Sequence, residues 1–327
     1  MKFFCRRLFF SAFIIIYANA QVESFSKITL AFSAHLLYNS LCNAKNDAEN
    51  APYPGNEALK LEKERIIDAH AHIFPQKIAA KAVDSIGHFY DLTMHDGNGT
   101  AEALLESGRR IGVDRYLVCS TATRPGQVKA INDFIWEESI AHPEFVPFAT
   151  MHPDLEDLEE EMERILSRGY YGLKLHPDFQ EFNIDDDRAM EIYRLAEGKL
   201  AILFHTGDNR YDFSAPRRME RVAERFPNLT CIAAHFGGYR CWEEALSCYE
   251  APNIYMDTSS ALFALPAEGA WKFFERFGFE RFFFGTDFPM WTHEDELARF
   301  NALGLPPKER AMILSGNFAR VILKETD

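Results

Sequence analysis

From Ile66 onward, short apolar, β-branched or aromatic runs alternate with longer stretches whose apolar residues recur at helical spacing. The short runs predict strands at Ile66–His70, Arg115–Ser120, Phe145–Met151, Gly172–His176, Ala201–His205, Thr230–His235, Ile254–Thr258 and Arg281–Thr286. The longer ones predict helices at Pro125–Ala141, Leu155–Arg168, Asp187–Gly198, Ala215–Arg225, Trp242–Tyr249, Ala270–Phe277 and Pro306–Lys324. Asp154 reads as an N-cap for the second helix and Gly169 as its C-terminal stop. Strands that alternate with helices must pair in parallel, because each crossover returns the chain to the same end. Ala201–Phe204 and Phe282–Phe284 are apolar throughout, as expected of strands covered on both faces. Eight such units predict a closed (β/α)8 TIM barrel over residues 61–327. A doubly wound open sheet is the rival, but no Gly-rich turn follows an early strand.

The first sixty residues break this pattern. Lys2, Arg6 and Arg7 precede the apolar run Leu8–Tyr17, and Ala18-Asn19-Ala20 follows it. That is the layout of a secretory signal, too short to span a bilayer as a mature helix. Residues 21–60 read as a linker or poorly ordered leader. Either the protein is exported or the translated start lies upstream of the true one; no methionine falls between Met1 and Met94. Cys119 and Cys231 lie inside strand-like runs and no C-x-x-C pair occurs. This usage resembles a reducing compartment. The expectation is therefore cytoplasmic, with secretion as the alternative if residues 1–20 are a genuine signal.

The formal net charge of −14 and the lack of a Lys/Arg cluster argue against nucleic acid and anionic membranes as partners. A small-molecule substrate is the expectation. The polar residues that interrupt the apolar runs are the candidate chemistry, and they gather at strand C-terminal ends. The first strand runs into His70-Ala71-His72, the fifth into His205, the sixth into His235 and the eighth into Asp287. In a barrel these ends ring one mouth, where active sites of this architecture form. Alternation puts His70 and His72 on one face, within reach of one ion. Imidazole and carboxylate donors suit Zn2+, with Mn2+ or Fe2+ as alternatives.

As an ordered set, the segments Ile66–His72, Gly172-Leu173-Lys174-Leu175-His176-Pro177, His205-Thr206-Gly207, Ala234–Gly238, Gly285–Pro289 and Gly316–Arg320 resemble the amidohydrolase-related metal enzymes. That family includes the aminocarboxymuconate-semialdehyde decarboxylase branch. The resemblance implies a single catalytic metal, usually zinc, with His70, His72 and His205 as ligands. Asp287 would be a ligand or the close neighbour of an activated water. His235 would polarise the substrate or move a proton, and a homodimer is expected. Lys174 and His176 point inward and are candidates for substrate contact; in some relatives a lysine of the fourth strand bridges two metals as a carbamate. Arg210 and Arg240 follow the fifth and sixth strands and are candidates to hold a substrate carboxylate. Asp68 either orients a ligand imidazole or is a structural carboxylate. Trp291 either walls the pocket or packs, and His88, His95, His142, His152 and His293 read as loop or surface residues.

The leading expectation is hydrolysis, with a metal-activated water attacking an amide, ester or lactone carbonyl. One rival is non-oxidative decarboxylation of an unsaturated or aromatic carboxylate, which calls for a cationic pocket. Metal-independent lactone hydrolysis and a non-catalytic binding barrel are the others.

Overall fold

The computed structural model describes residues 64–94 and 98–326. The signal-like and leader segments, and His95, lie outside the described residues. Eight parallel strands follow one another round a sheet in chain order. They are β1 (Ile67–His72), β2 (Arg115–Cys119), β3 (Phe145–Thr150), β4 (Gly172–Leu175), β5 (Ala201–Phe204), β6 (Thr230–Ala233), β7 (Ile254–Asp257) and β8 (Phe282–Phe283). The ring closes between first and last strands through the Ala69 amide on Phe284 O (2.8 Å), the Asp287 amide on His70 O (2.7 Å) and the His72 amide on Phe288 O (2.7 Å). The chain is thus a (β/α)8 barrel, with every strand within a few residues of its sequence-based position.

Among the described residues the helices are α1 (Ala79–Tyr90), α2 (Ala101–Ile111), α3 (Val128–Ala141), α4 (Leu158–Arg168), the single turn α5 (Pro177–Gln180), α6 (Met190–Ala196), α7 (Pro216–Arg225), α8 (Trp242–Cys248), α9 (Ala267–Phe277), α10 (His293–Asn301) and α11 (Pro307–Ala311). Helices α1, α2 and α10 were not singled out by periodicity. Helix α4 starts three residues later than expected, after Asp157 rather than Asp154, and stops at Gly169 in the left-handed conformation. None of the helices is long and apolar enough to cross a membrane.

The apolar residues form two shells. Ile67, Ala69, Leu117, Val146, Phe148, Leu203, Ile232 and Phe283 fill the barrel, and Phe318, Val321 and Ile322 of the C-terminal segment join the same cluster. Their alternate neighbours, such as Val118, Leu173, Ile202 and Phe204, face the helices. A register shift between Asp68 and Ala71 interrupts β1. This bulge lets both Ala69 and His70 turn inward, so His70 and His72 reach the mouth while Asp68 is directed away from it.

Candidate active site

A cavity of about 810 Å³ lies over the C-terminal ends of the strands. His70, His72, Lys174, His176, His205, His235 and Asp287 all contribute to its lining. Asp287 stands just past β8 at φ 58° and His235 just past β6 at φ 62°, so left-handed turns aim both side chains. Gly207 (φ 76°) follows His205, and a Cβ there would lie 2.6 Å from Gly238 backbone. Only glycine lets the loops after β5 and β6 approach so closely and hold His205 beside His235.

The hydrogen bonds fix which imidazole nitrogen is open. His70 Nδ1 donates to Asp257 Oδ2 (2.9 Å), leaving Nε2, to which Lys174 Nζ donates at 3.0 Å, as the acceptor. That atom lies 3.2 Å from His72 Nε2 and 3.6 Å from Asp287 Oδ1, and His72 Nε2 is 3.3 Å from the same oxygen. Burial and Lys174, whose Nζ is 3.0 Å away, push His70 down to about 4, so its ring is neutral at neutral pH. Burial opposes a charge on Asp287, but the surrounding histidines outweigh it and hold the carboxyl well below the usual range; among them His72, 3.3 Å from Oδ1, is itself raised to about 9. His70, His72 and Asp287 therefore offer three donor atoms within 4.8 Å of one another.

A second pair is arranged the same way. His205 Nε2 donates to Gly207 O (3.0 Å) and His235 Nδ1 donates to Ser259 O (3.0 Å). Neither carbonyl can donate in return, so the lone pairs of His205 Nδ1 and His235 Nε2 face each other at 3.1 Å. Burial lowers both rings and keeps them neutral. Lone pairs so placed call for a shared proton or a cation between them, and a donor set of this kind fits a divalent metal.

Several supporting residues were not singled out from the sequence. Besides Asp257, Ser260 Oγ donates to Asp287 Oδ2 (2.6 Å) and receives Trp291 Nε1 (2.9 Å), so Trp291 braces the carboxylate. Tyr90 of α1 places its hydroxyl 2.9 Å from His176 Nε2 and 3.4 Å from His205 Nε2. Asp68 does not orient an imidazole. It accepts from the backbone amides of His70 and Thr286 (both 3.0 Å) and from Thr286 Oγ1 (2.6 Å), tying the ends of β1 and β8 together. His293, expected at the surface, is fully buried with Nε2 3.1 Å from that carboxylate and Nδ1 on Ser107 Oγ (2.9 Å). His152 is also buried, its Nδ1 accepting from the Asp154 amide.

The two arginines are not among the lining residues of the cavity. Arg240 packs on the rings of Tyr239 and Phe263. Arg210 pairs with buried Asp208 (2.7 Å), donates to Phe89 O and stacks over Phe89, Tyr90 and Tyr211. It latches the C-terminal turn of α1, which carries Tyr90. Arg210→Ala is expected to speed amide exchange in residues 87–91 by about tenfold, the loss of one charge-assisted hydrogen bond. Hydrogen–deuterium exchange checks this, with α3 as the unaffected reference.

The sequence of residues 67–322 matches the amidohydrolase family. The chain belongs to that family. No curated protein matches it. Among solved structures, the chain is similar to an uncharacterized TIM-barrel protein of Bordetella bronchiseptica (21% identity, 80% of this chain and 99% of that one, TM-score 0.66). It is also similar to a dihydroxybenzoic acid decarboxylase of Polaromonas sp. JS666 with bound manganese and the inhibitor 2-nitroresorcinol (15%, 80% and 98%, 0.61). A third is a protein of Pseudomonas putida assigned as a 2-pyrone-4,6-dicarboxylic acid hydrolase (16%, 80% and 98%, 0.59). At these identities the likeness extends to the fold and leaves the reaction to the site.

Proposed function

We propose that the chain is a metal-dependent hydrolase acting on an amide, ester or lactone carbonyl of an uncharged small molecule. The observation that carries this reading is the convergence of His70 Nε2, His72 Nε2 and the Asp287 carboxylate in a cavity to which no arginine contributes among the described residues. His70, His72 and Asp287 would hold the ion, with His205 completing the set. A divalent ion there supplies Lewis acidity and acidifies a water molecule. Asp287, ionised and braced by Ser260, accepts a proton from the attacking water and returns it to the leaving group. His235, whose Nε2 lies 3.1 Å from His205 Nδ1, takes part in proton transfer. Asp257 holds the His70 ring in the tautomer that binds.

Zinc, manganese or iron suits these donors. Elemental analysis of the purified protein, followed by a panel of uncharged amides, esters and lactones beside aromatic carboxylates, tests the reading. Near-stoichiometric metal with hydrolysis of the uncharged panel supports it. No metal after reconstitution, or CO2 release from the carboxylates alone, overturns it. The second outcome would favour decarboxylation, a reading to which the Lys174 ammonium beside the cluster gives a carboxylate partner.

Asp257→Asn is expected to weaken metal binding by about tenfold to a hundredfold, as loss of a carboxylate behind a ligand imidazole does. Competition against a chelator of known affinity measures it.

A further inference from the structure

Helix α1 carries two apolar faces. Ala79, Val83 and Gly87 are buried. Ile78, Ala82, Ile86 and Phe89 follow one another at helical spacing on a second stripe and line the cavity. Helix α3 repeats this: Val128, Asn132 and Ile135 are buried, while Ile131 and Phe134 line the same cavity. One stripe is enough to hold a surface helix on its barrel. The second stripes are only partly covered, and Ile78 is 52% exposed. From Ile78 to Phe89 the wall runs about 16 Å at the helical rise. It belongs to one continuous cavity with the histidine–aspartate cluster. Lys174 lies beside the cluster and exposed Lys81 on α1; no other lysine and no arginine lines the cavity among the described residues.

We propose that the groove between α1 and α3 is a subsite for a straight-chain acyl arm of the substrate, whose carbonyl lies at the cluster. Continuity with the cluster selects a substrate arm as occupant, the run of Ile78, Ala82, Ile86 and Phe89 along one wall, with Ile131 and Phe134 on the other, suits an extended aliphatic chain, and Lys81 stands at the exposed edge of that wall. Ile86, Ile131 and Phe134 set the accepted length. The inference rests on the hydrolytic reading of the cluster.

The test is calorimetric binding of straight-chain amides from acetamide to octanamide, beside hydrolysis of the matching p-nitrophenyl esters. Affinity is expected to rise about three- to fourfold per methylene, as for burial of a CH₂ group. Ile131→Trp fills the groove and is expected to lose at least tenfold more affinity for octanamide than for acetamide. Ile86→Trp, from the opposite wall, gives the same selective loss should the first variant fold poorly. A flat chain-length series, or an equal loss for both amides, overturns the proposal. So does a flat series with a dimer that Ile131→Trp dissociates in sedimentation, which gives the groove to a second copy. A chain-length slope without hydrolysis overturns the hydrolytic reading alone, and hydrolysis with a flat series overturns the subsite alone.

Discussion

His70→Ala is expected to bring the metal content of the purified protein to background and turnover with it. His70 is the junction of the site. Its Nε2 faces His72, Asp287 and Lys174, and its Nδ1 is committed to Asp257. Alanine removes the donor and also leaves the Asp257 carboxylate, fully buried, without its imidazole partner. The loss should exceed the roughly tenfold to hundredfold expected when only an outer partner is removed. Elemental analysis and kcat on the same preparation decide it, and full metal occupancy in the variant would remove His70 from the site.

Asp287→Asn is expected to lower kcat by about 10² to 10⁴, the range for a positioned proton acceptor. Asparagine is the clean replacement for a geometric reason. Residue 287 adopts φ 58°, a region asparagine tolerates, so the backbone turn survives. The amide keeps an oxygen for Ser260 but cannot accept a proton. Metal content measured in parallel separates the two duties of the residue. Metal retained with kcat lost assigns proton transfer, and both lost together assigns ligation. An unchanged kcat would exclude Asp287 from the chemistry.

The strands were legible because parallel strands covered on both faces are apolar throughout, and helices that separate them leave few topologies. The eighth was read too long, since Phe284 to Thr286 leave the sheet to make the ring-closing contacts with β1. Helix α1 escaped because its apolar residues serve two faces, which blurs a single helical stripe. Tyr90 escaped with it. His70, His72, His205, His235 and Asp287 stood out as polar breaks at strand ends. Asp257-Thr258-Ser259-Ser260 ends a strand in the same manner, but aspartate and serine there also read as an ordinary turn. Arg210 shows what side-chain type leaves undecided. An arginine near a mouth can meet substrate or a neighbour, and Asp208 two residues earlier was the sign that it meets a neighbour.

The contacts that close the ring also decide when the site exists. His70 and His72 belong to the first strand and Asp287 follows the last, and Asp68 stitches the two ends together. An ion gripped by all three residues therefore binds the closed ring and not a chain whose ends have parted. By thermodynamic linkage, ligand at a hundred times its dissociation constant adds about 2.7 kcal/mol to the stability of the closed form. On the proposed reading the ion would act as a clasp. Opening at this seam would then be coupled to loss of the ion, so that fraying and inactivation would be one event.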